Sequence, residues 1–580
     1  MTVLIIALCA AAFCLAQTDI SGDISGVLTA AGSPYRVIGD IRVAPHTSLI
    51  IEPGVTLEFQ VPPYHKFVVD TGAVLKAIGT ETDSIVFTAA NTIIGWLGIR
   101  FFYADIACSL AYCRIEYGKA RGSAGHETYG GGVYCIYSDI KIANCTFYGD
   151  SAEGAGGAIA CLYSSVLIQN NTIINCVADI GGGIHCNGNG TIKDNTISGN
   201  VACERGGGIY CCDSTVVLNN TISHNSVIGS GSNKGGGGIF CQYYVKIENN
   251  YIANNSVLGG DSGDQYRGGG GIYYKNSPPP IYGDNAEIIS NLIVHNYLDS
   301  YYDDGGGIYC YLNTTPWISN CLIMDNETGG NGGGLYCYDN SDPTIINCTI
   351  TGNLANRGGA LSCGNDCDIV IINTIMYDDT ATLGASYGNE IYNSACDIYL
   401  AFNDVDSNDC RGYTDNIHWC GGNIDVNPLF ADSLCHLSAT SPCINTGSGW
   451  AYIASLDSFI YADSIDYEGD LRPLNGAWEI GCDEVDTLLI SIWERYKKPT
   501  RFNLSVFPNP FNSAVSITAP AGAEIEIFDI NGRMVYKTSI GAFRETPVIW
   551  QTDAAIGSGI YLVRAIRGEQ EVTKRIVYLK

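Results

Sequence analysis

The chain has 580 residues and a formal net charge of −29, with 30 basic against 59 acidic side chains. That length exceeds one ordinary core, so it requires several domains or an elongated repeat body. A hydrophobic content of 46% excludes disorder over most of the length, and 70 glycines with only 15% charged residues suit short strands and tight turns better than helices. The acidity is uneven: from Arg501 onward nine Lys/Arg face seven Asp/Glu, a balance of +2 that leaves −31 on the rest. So acidic a body repels nucleic acid and anionic membrane surfaces, and neither is expected as a partner.

Val3 to Ala16 is an uncharged apolar stretch followed by Gln17-Thr18-Asp19. Its length fits a signal peptide over 1–16 and is too short to cross a bilayer. Met1-Thr2 brings no Lys or Arg, and Leu8 and Phe13, which precede Cys9 and Cys14, do not suit lipoprotein processing. No later stretch reaches transmembrane length without polar interruption. Residues 17–118 hold short alternating runs such as Thr47–Phe59 and Ser84–Thr88, which predict irregular first coils that cap a solenoid.

From 119 to 395 the sequence repeats. The block Gly-Gly-Gly-Ile-Tyr-Cys, with variants, recurs nine times, its third position falling at Gly132, Ala158, Gly183, Gly208, Gly238, Gly271, Gly307, Gly334 and Ala360. A second block, Ile-x-Asn-Asn/Cys-x-Ile, follows each, its fourth position falling at Cys145, Asn171, Asn195, Asn220, Asn250, Asn291, Cys321, Cys348 and Asn373. A period near 25 with two or three short strands and no 3.6-residue apolar period describes one coil of a parallel β-helix. Period-two alternation then turns Ile209 and Cys211 inward and Tyr210 outward, with equivalent residues stacked about 4.8 Å apart.

This arrangement reassigns the cysteines. Cys135, Cys161, Cys186, Cys211, Cys241, Cys310, Cys337 and Cys363 fall in one inward row, broken by Tyr274, where they act as small buried hydrophobes. One cysteine per coil does not make a tetrahedral metal site, and no metal is expected. The Asn positions form a second row of stacked amides at a turn. Residues 396–483 lose the period and are expected to close the solenoid; Cys396, Cys410, Cys420, Cys435, Cys443 and Cys482 lie there outside the rows and are the disulfide candidates. A linker at 484–501 leads to about seven short strands over 502–580, including a hairpin at Glu524–Lys537 turned by Asn531-Gly532. These strands predict a small immunoglobulin-like antiparallel sandwich.

Three stretches resemble known families. Glu52-Pro-Gly-Val55, Ala77-Ile-Gly-Thr80 and Gly95-Trp-Leu-Gly-Ile99 are similar to the opening of bacterial right-handed β-helix proteins. Asn423–Phe430, Ser441–Thr446, Asp470–Pro473 and Glu479–Cys482 look like the closing segment that follows such helices on anchored surface proteins. Phe507–Asn512, Ile527–Arg533, Gly559–Val563 and Lys574–Lys580 resemble the type A sorting domain of the type IX secretion system, with Pro508, Asn509, Pro510, Asn531, Gly532, Arg533, Gly559 and Tyr561 carrying the motif. The resemblance implies export by the type IX machinery, to the cell surface or into the medium, with the domain commonly removed on the way.

The sequence contains no nucleophile elbow, HExxH, P-loop or dinucleotide fingerprint. Its informative feature is the outward row, Tyr134, Ala160, His185, Tyr210, Phe240, Tyr273, Tyr309, Tyr336 and Ser362, read as an exposed aromatic stripe. Arg205, Lys234, Arg267, Asp303, Asp304 and Arg357 precede the Gly runs, and the long loops 225–235, 255–268 and 296–305 add Tyr266, Tyr301 and Tyr302. Flat rings with flanking charges suit the faces and hydroxyls of sugars, so an extracellular or surface polysaccharide along coils 4 to 7 is the expected ligand of an adhesin-like or structural module. Outward tyrosines also stabilise a sheet by stacking alone. The alternative borrows from fold analogy. β-Helix polysaccharide lyases use a basic proton abstractor with Ca²⁺ held by carboxylates, and β-helix hydrolases use clustered Asp, parts that Arg267 and Asp303-Asp304 would supply. Outside that alternative no cofactor is expected.

Overall fold

The computed structural model describes residues 17–62, 64–123, 125–259, 267–276, 286–413 and 416–485, and then 504–507, 514–519, 523–530, 533–539, 548–551, 556–567 and 570–578. The expected signal peptide, the linker beyond Val485, Tyr266, and Pro508, Asn509, Pro510, Asn531 and Gly532 lie outside these residues.

Each regular coil contributes four short parallel strands, more than the two or three expected. In the coil that opens at Gly206 they are Ile209–Cys212, Val216–Leu218, Thr221–Ser223 and Ser226–Val227. Each pairs in register with its counterpart one coil on. The extra strand arises because the chain turns twice through asparagine. At both corners one residue takes the left-handed conformation and the next is a buried Asn: Asn219 (φ 55°) precedes Asn220, and His224 (φ 56°) precedes Asn225.

Both corners build ladders. The Asn195 backbone N–H and Nδ2 each donate to Asn220 Oδ1 at 2.9 Å, and Nδ2 also donates to the Ile168 carbonyl at 3.0 Å. The same pattern joins Asn171, Asn195, Asn220, Asn250 and Asn291. A second ladder, not read from the sequence, runs through Asn200, Asn225, Asn255, Asn296, Asn326 and Asn353 and ends on Asp379. Past Cys348 the first ladder passes to Thr374 and Asn403. Asn373, placed in that row by the sequence, instead takes the left-handed corner (φ 50°) and bonds to Ser448.

The interior is a column of stacked apolar side chains. The eight row cysteines and Tyr274 lie in register, none more than 1% exposed, against rows of Ile, Leu and Val. Larger rings fill the first coils, where Phe59 stacks on Trp96 at 4.0 Å. Parallel pairing continues past 395 through Cys410–Gly412 and Ile417–Trp419. The following residues fold back along the flank, where Phe430, Leu434, Cys435, Tyr467 and Cys482 pack on Tyr251, Leu292, Leu322 and Met324. A buried Arg472–Glu484 ion pair at 3.1 Å ties this segment to itself. The cap cysteines are free thiols: Cys443 donates to Asp404, Cys435 lies on Met324 in the same cluster as Cys482, Cys420 is exposed, and Cys396 meets Cys363 and Cys367 of the solenoid.

The C-terminal strands form two antiparallel sheets, one of Ser505–Phe507, Ala514–Thr518 and Val548–Gln551, the other of Glu524–Asp529, Met534–Ser539, Gly559–Arg567 and Gln570–Tyr578. Val515, Ile525, Ile527, Trp550, Val563 and Ile576 share their core. The Arg533 backbone N–H donates to Asp529 across the hairpin, Tyr561 is buried with its hydroxyl donating to the Gly557 carbonyl, and Gly559 pairs with Tyr578. No helix among the described residues is long and apolar enough to cross a membrane.

Two outcomes follow from the ladders. Asn255→Ala leaves the buried Asn225 N–H without its acceptor, and should cost about 3 kcal/mol in urea unfolding. The second concerns pH. Burial holds the carboxyls of Asp379 and Asp304 up to about 7 and that of Glu479 up to about 8, while the Glu468 and Asp432 carboxylates raise His436 to about 9. The folded chain therefore keeps protons that the unfolded chain has lost, and stability falls as pH rises. His185, lowered by burial to about 4, acts oppositely but only below its unperturbed 6.5. Tm should decline between about pH 6.5 and 8 in buffered thermal scans, and less so in Asp379→Asn, which adds one more amide rung.

Candidate binding cleft

From Arg100 the outward row runs in register through Tyr134, Ala160, His185, Tyr210, Phe240, Tyr273, Tyr309, Tyr336, Ser362 and Tyr392 to Arg411. The rings stack, His185 on Tyr210 at 4.8 Å and 5°, Tyr210 on Phe240 at 5.4 Å and 6°, and Tyr273 on Tyr309 at 4.8 Å and 14°. The row is not exposed, contrary to expectation: Phe240, Tyr273 and Tyr309 are 0% accessible, and His185, Tyr210 and Tyr336 are also buried.

The reason lies in the glycine runs. The Tyr273 ring lies flat on the preceding coil, and a Cβ built on Gly235 would meet its Cδ1 at 2.7 Å; Gly268 stands in the same relation to Tyr309. Rings that lie down cover one another, and the next outward residues, Tyr311 and Tyr338, close over them. Arg205 sits 5.4 Å above the Phe240 ring and Lys275 5.0 Å above Tyr311. Together they form a second apolar core outside the barrel rather than a binding face.

The flanking charges separate in the same way. Arg267 and Asp303 are both fully buried, 3.6 Å apart, with Arg267 Nη2 donating to the Leu258 carbonyl, so the pair is structural. Asp304 is only partly buried and accepts from the Asn331 backbone N–H and Nδ2, both at 2.8 Å. Burial, with Asp303 beside it, moves its carboxyl up to about 7.

What remains open to solvent lies at the margin of the row. Tyr301 and Tyr302 are 58% and 49% exposed and meet edge to face at 5.4 Å. They rim a cleft of about 430 Å³ whose walls include Asp304, Asn331, Tyr336, Tyr338, Asn356 and Arg357. A second hollow of about 320 Å³ shares Asn331, Tyr336, Tyr338 and Arg357 and extends to Tyr392. The Arg357 guanidinium stands 5.3 and 5.5 Å from the rings of Tyr387 and Tyr392, and its buried Nε has no hydrogen-bond partner. The cleft thus unites Tyr301, Tyr302, Asp304, Tyr309, Tyr336 and Arg357 of the expected residues, and sits on later coils than expected. His185, Tyr210, Phe240, Tyr273, Arg267 and Asp303 do not line it. Asn331, Tyr338 and Asn356 were missed, although the first and last precede Gly runs just as the named charges do.

Only one grouping of metal-ligand types occurs among the described residues. His436, Glu468 and Asp483, in the cap, place ligand atoms within 4.8 Å of one another. The His436 nitrogens there already meet Asp432 at 2.6 Å and the Tyr467 hydroxyl at 2.7 Å, and none of the three lines the cleft.

Comparison with known proteins bears on the fold and on export. Residues 77–257 match the family model of the right-handed β-helix region, and residues 505–579 match that of the secretion system C-terminal sorting domain. No curated protein matches the chain. Among solved structures it is similar to pectate lyase Pel9A, at 13% identity over 76% of this chain and 88% of that one, with a TM-score of 0.26. Right-handed coils followed by that terminal domain make this a parallel β-helix protein with a type IX sorting domain, exported to the cell surface or the extracellular space.

Proposed function

We propose that the body is a non-catalytic glycan-binding module, adhesin-like in use, which the sorting domain delivers outside the cell. The observation that carries this reading is the Tyr301–Tyr302 pair, two large rings left in solvent at the mouth of a cleft, beside an outward row whose stacked rings are buried. Exposed rings offer apolar faces to sugar C–H groups, while the amides of Asn331 and Asn356 and the Arg357 guanidinium supply directional hydrogen bonds. A cleft that no described residue closes over suits a chain passing through rather than a small molecule. With this reading goes a division into signal peptide 1–16, first coils 17–118, regular coils 119–395, closing cap 396–483, linker 484–501 and sorting domain 502–580.

A second reading, a polysaccharide lyase or glycoside hydrolase, is favoured by one observation, the Asp304 carboxyl that titrates near neutrality in the cleft. Against it, Asp304 is the one carboxylate among the described residues lining that cleft, and the paired-carboxylate mechanism needs two.

Two experiments test these readings. On a glycan array, Tyr301→Ala/Tyr302→Ala should lose about tenfold in affinity for any glycan the parent retains, with Tm unchanged. Tyr273→Ala should instead cost about 3–5 kcal/mol of stability, since it empties a fully buried site. Unaltered glycan retention by the double variant would sink the binding proposal. Incubation with acidic polysaccharides, with and without Ca²⁺, should yield neither unsaturated-product absorbance nor new reducing ends; either signal, lost in Asp304→Asn, would establish the enzyme.

A further inference from the structure

One rung before the first ring of the outward row the position is held by a charge. Arg100 pairs in register with Tyr134 on one side and Val68 on the other, and is 3% exposed. Its Nη1 donates to the carbonyls of Tyr129 and Gly130, the latter at 2.7 Å, and its guanidinium lies 6.0 Å from the Tyr134 ring centre. Its Nη2 is buried without a hydrogen-bond partner. Burial lowers its pKa to about 9, the direction expected for a cation taken out of water. A buried guanidinium nitrogen left unpaired is strongly unfavourable, and such groups are normally matched by a carboxylate or another anion.

Arg100 lines a pocket of about 120 Å³ together with Lys66, Leu97, Phe102, His126 and Glu127. That is room for several waters, enough for a small oxyanion. Three basic side chains converge there, in a body whose formal charge is −31. The His126 ring is set edge-on to Phe102 at 6.1 Å. Glu127, the acid of the pocket, acts on the Arg100 charge electrostatically but makes no hydrogen bond to Nη2. We infer that this pocket is an oxyanion site, in which Arg100 Nη2, Lys66 and His126 bind a carboxylate, sulfate or phosphate group. Arginine presents its nitrogens as a planar fork, which matches two oxygens of such a group, and the ammonium of Lys66 adds a point charge. The site is separate from the cleft, since Arg100 and Tyr336 are eight rungs apart, about 38 Å at ~4.8 Å per strand.

The same chemistry occurs in a free inorganic anion and in the charged substituent of a saccharide, so the test uses both. Isothermal titration of the full chain with sodium sulfate, phosphate, acetate and galacturonate, at ionic strength fixed with chloride, should show saturable binding of one anion per chain. Lys66→Gln/His126→Gln should weaken it at least tenfold while leaving Tm in chloride unchanged, and Arg100→Gln should abolish it. The double variant keeps the test valid if Arg100→Gln fails to fold. A uronate or sulfated oligosaccharide binding more than tenfold tighter than its monomer assigns the site to a glycan substituent, and equal affinities assign it to a free anion. Equal binding by parent and double variant overturns the inference, as does a Tm that rises with sulfate without saturating in both, which is general salt stabilisation.

Discussion

Everything in this solenoid depends on satisfying the backbone at its inner corners. A coil that turns inward buries peptide groups that no strand pairing reaches, and an unpaired buried N–H is costly. Asparagine solves this because its side chain both accepts and donates, so each amide can serve the coil before it and be served by the coil after it. Nδ2 of Asn255, for example, donates to the Ile222 carbonyl and to Asn296 Oδ1. Such a ladder propagates without limit but must end somewhere. The second one ends on Asp379, which an ionised carboxylate cannot extend as a donor; there the group lies against Glu390, and burial raises both carboxyls.

The same in-register stacking governs the outer face. Rings repeated at strand spacing touch one another whether or not a ligand is present, and glycines at the coil entrances let them lie flat. The row is consequently withdrawn from solvent and becomes packing. The exposed rings at the rim of the cleft lie where the repeat is interrupted. The interval between Gly271 and Gly307 is the longest in the array, and the loop it accommodates sets Tyr301 and Tyr302 beside the cleft. Arg100 stands one rung before the first ring, with Val68 and Arg42 preceding it in the row.

The closing segment extends this logic to the flank. Outward residues of the Asn strands, Tyr251, Leu292, Leu322 and Met324, would form an apolar strip if left open. The cap covers it with Tyr467, Cys435 and Cys482, and fixes itself through the Arg472–Glu484 pair and through Asn373, which its corner position leaves free to reach Ser448. A residue that departs from the ladder register thus becomes the anchor of the cap.

The amino-acid sequence by itself determined the coil, the inward cysteine and isoleucine rows and the terminal sandwich, because a period near 25 and strict alternation allow few other ways of burying those residues. It also determined export, through a run of motif residues at the end of the chain. It left the second ladder hidden, since its Asn is preceded by Gly, His, Asn or Asp in different coils and forms no fixed block. Only the tertiary structure decided what covers the outside of the sheet. Alternation tells which side of a strand a ring leaves from; whether water reaches it depends on how the ring leans and on loops from other coils. For that reason Tyr273 and the Arg267–Asp303 pair became core, while Tyr301, Asn331 and Arg357, about thirty residues apart in steps along the chain, came together at one cleft.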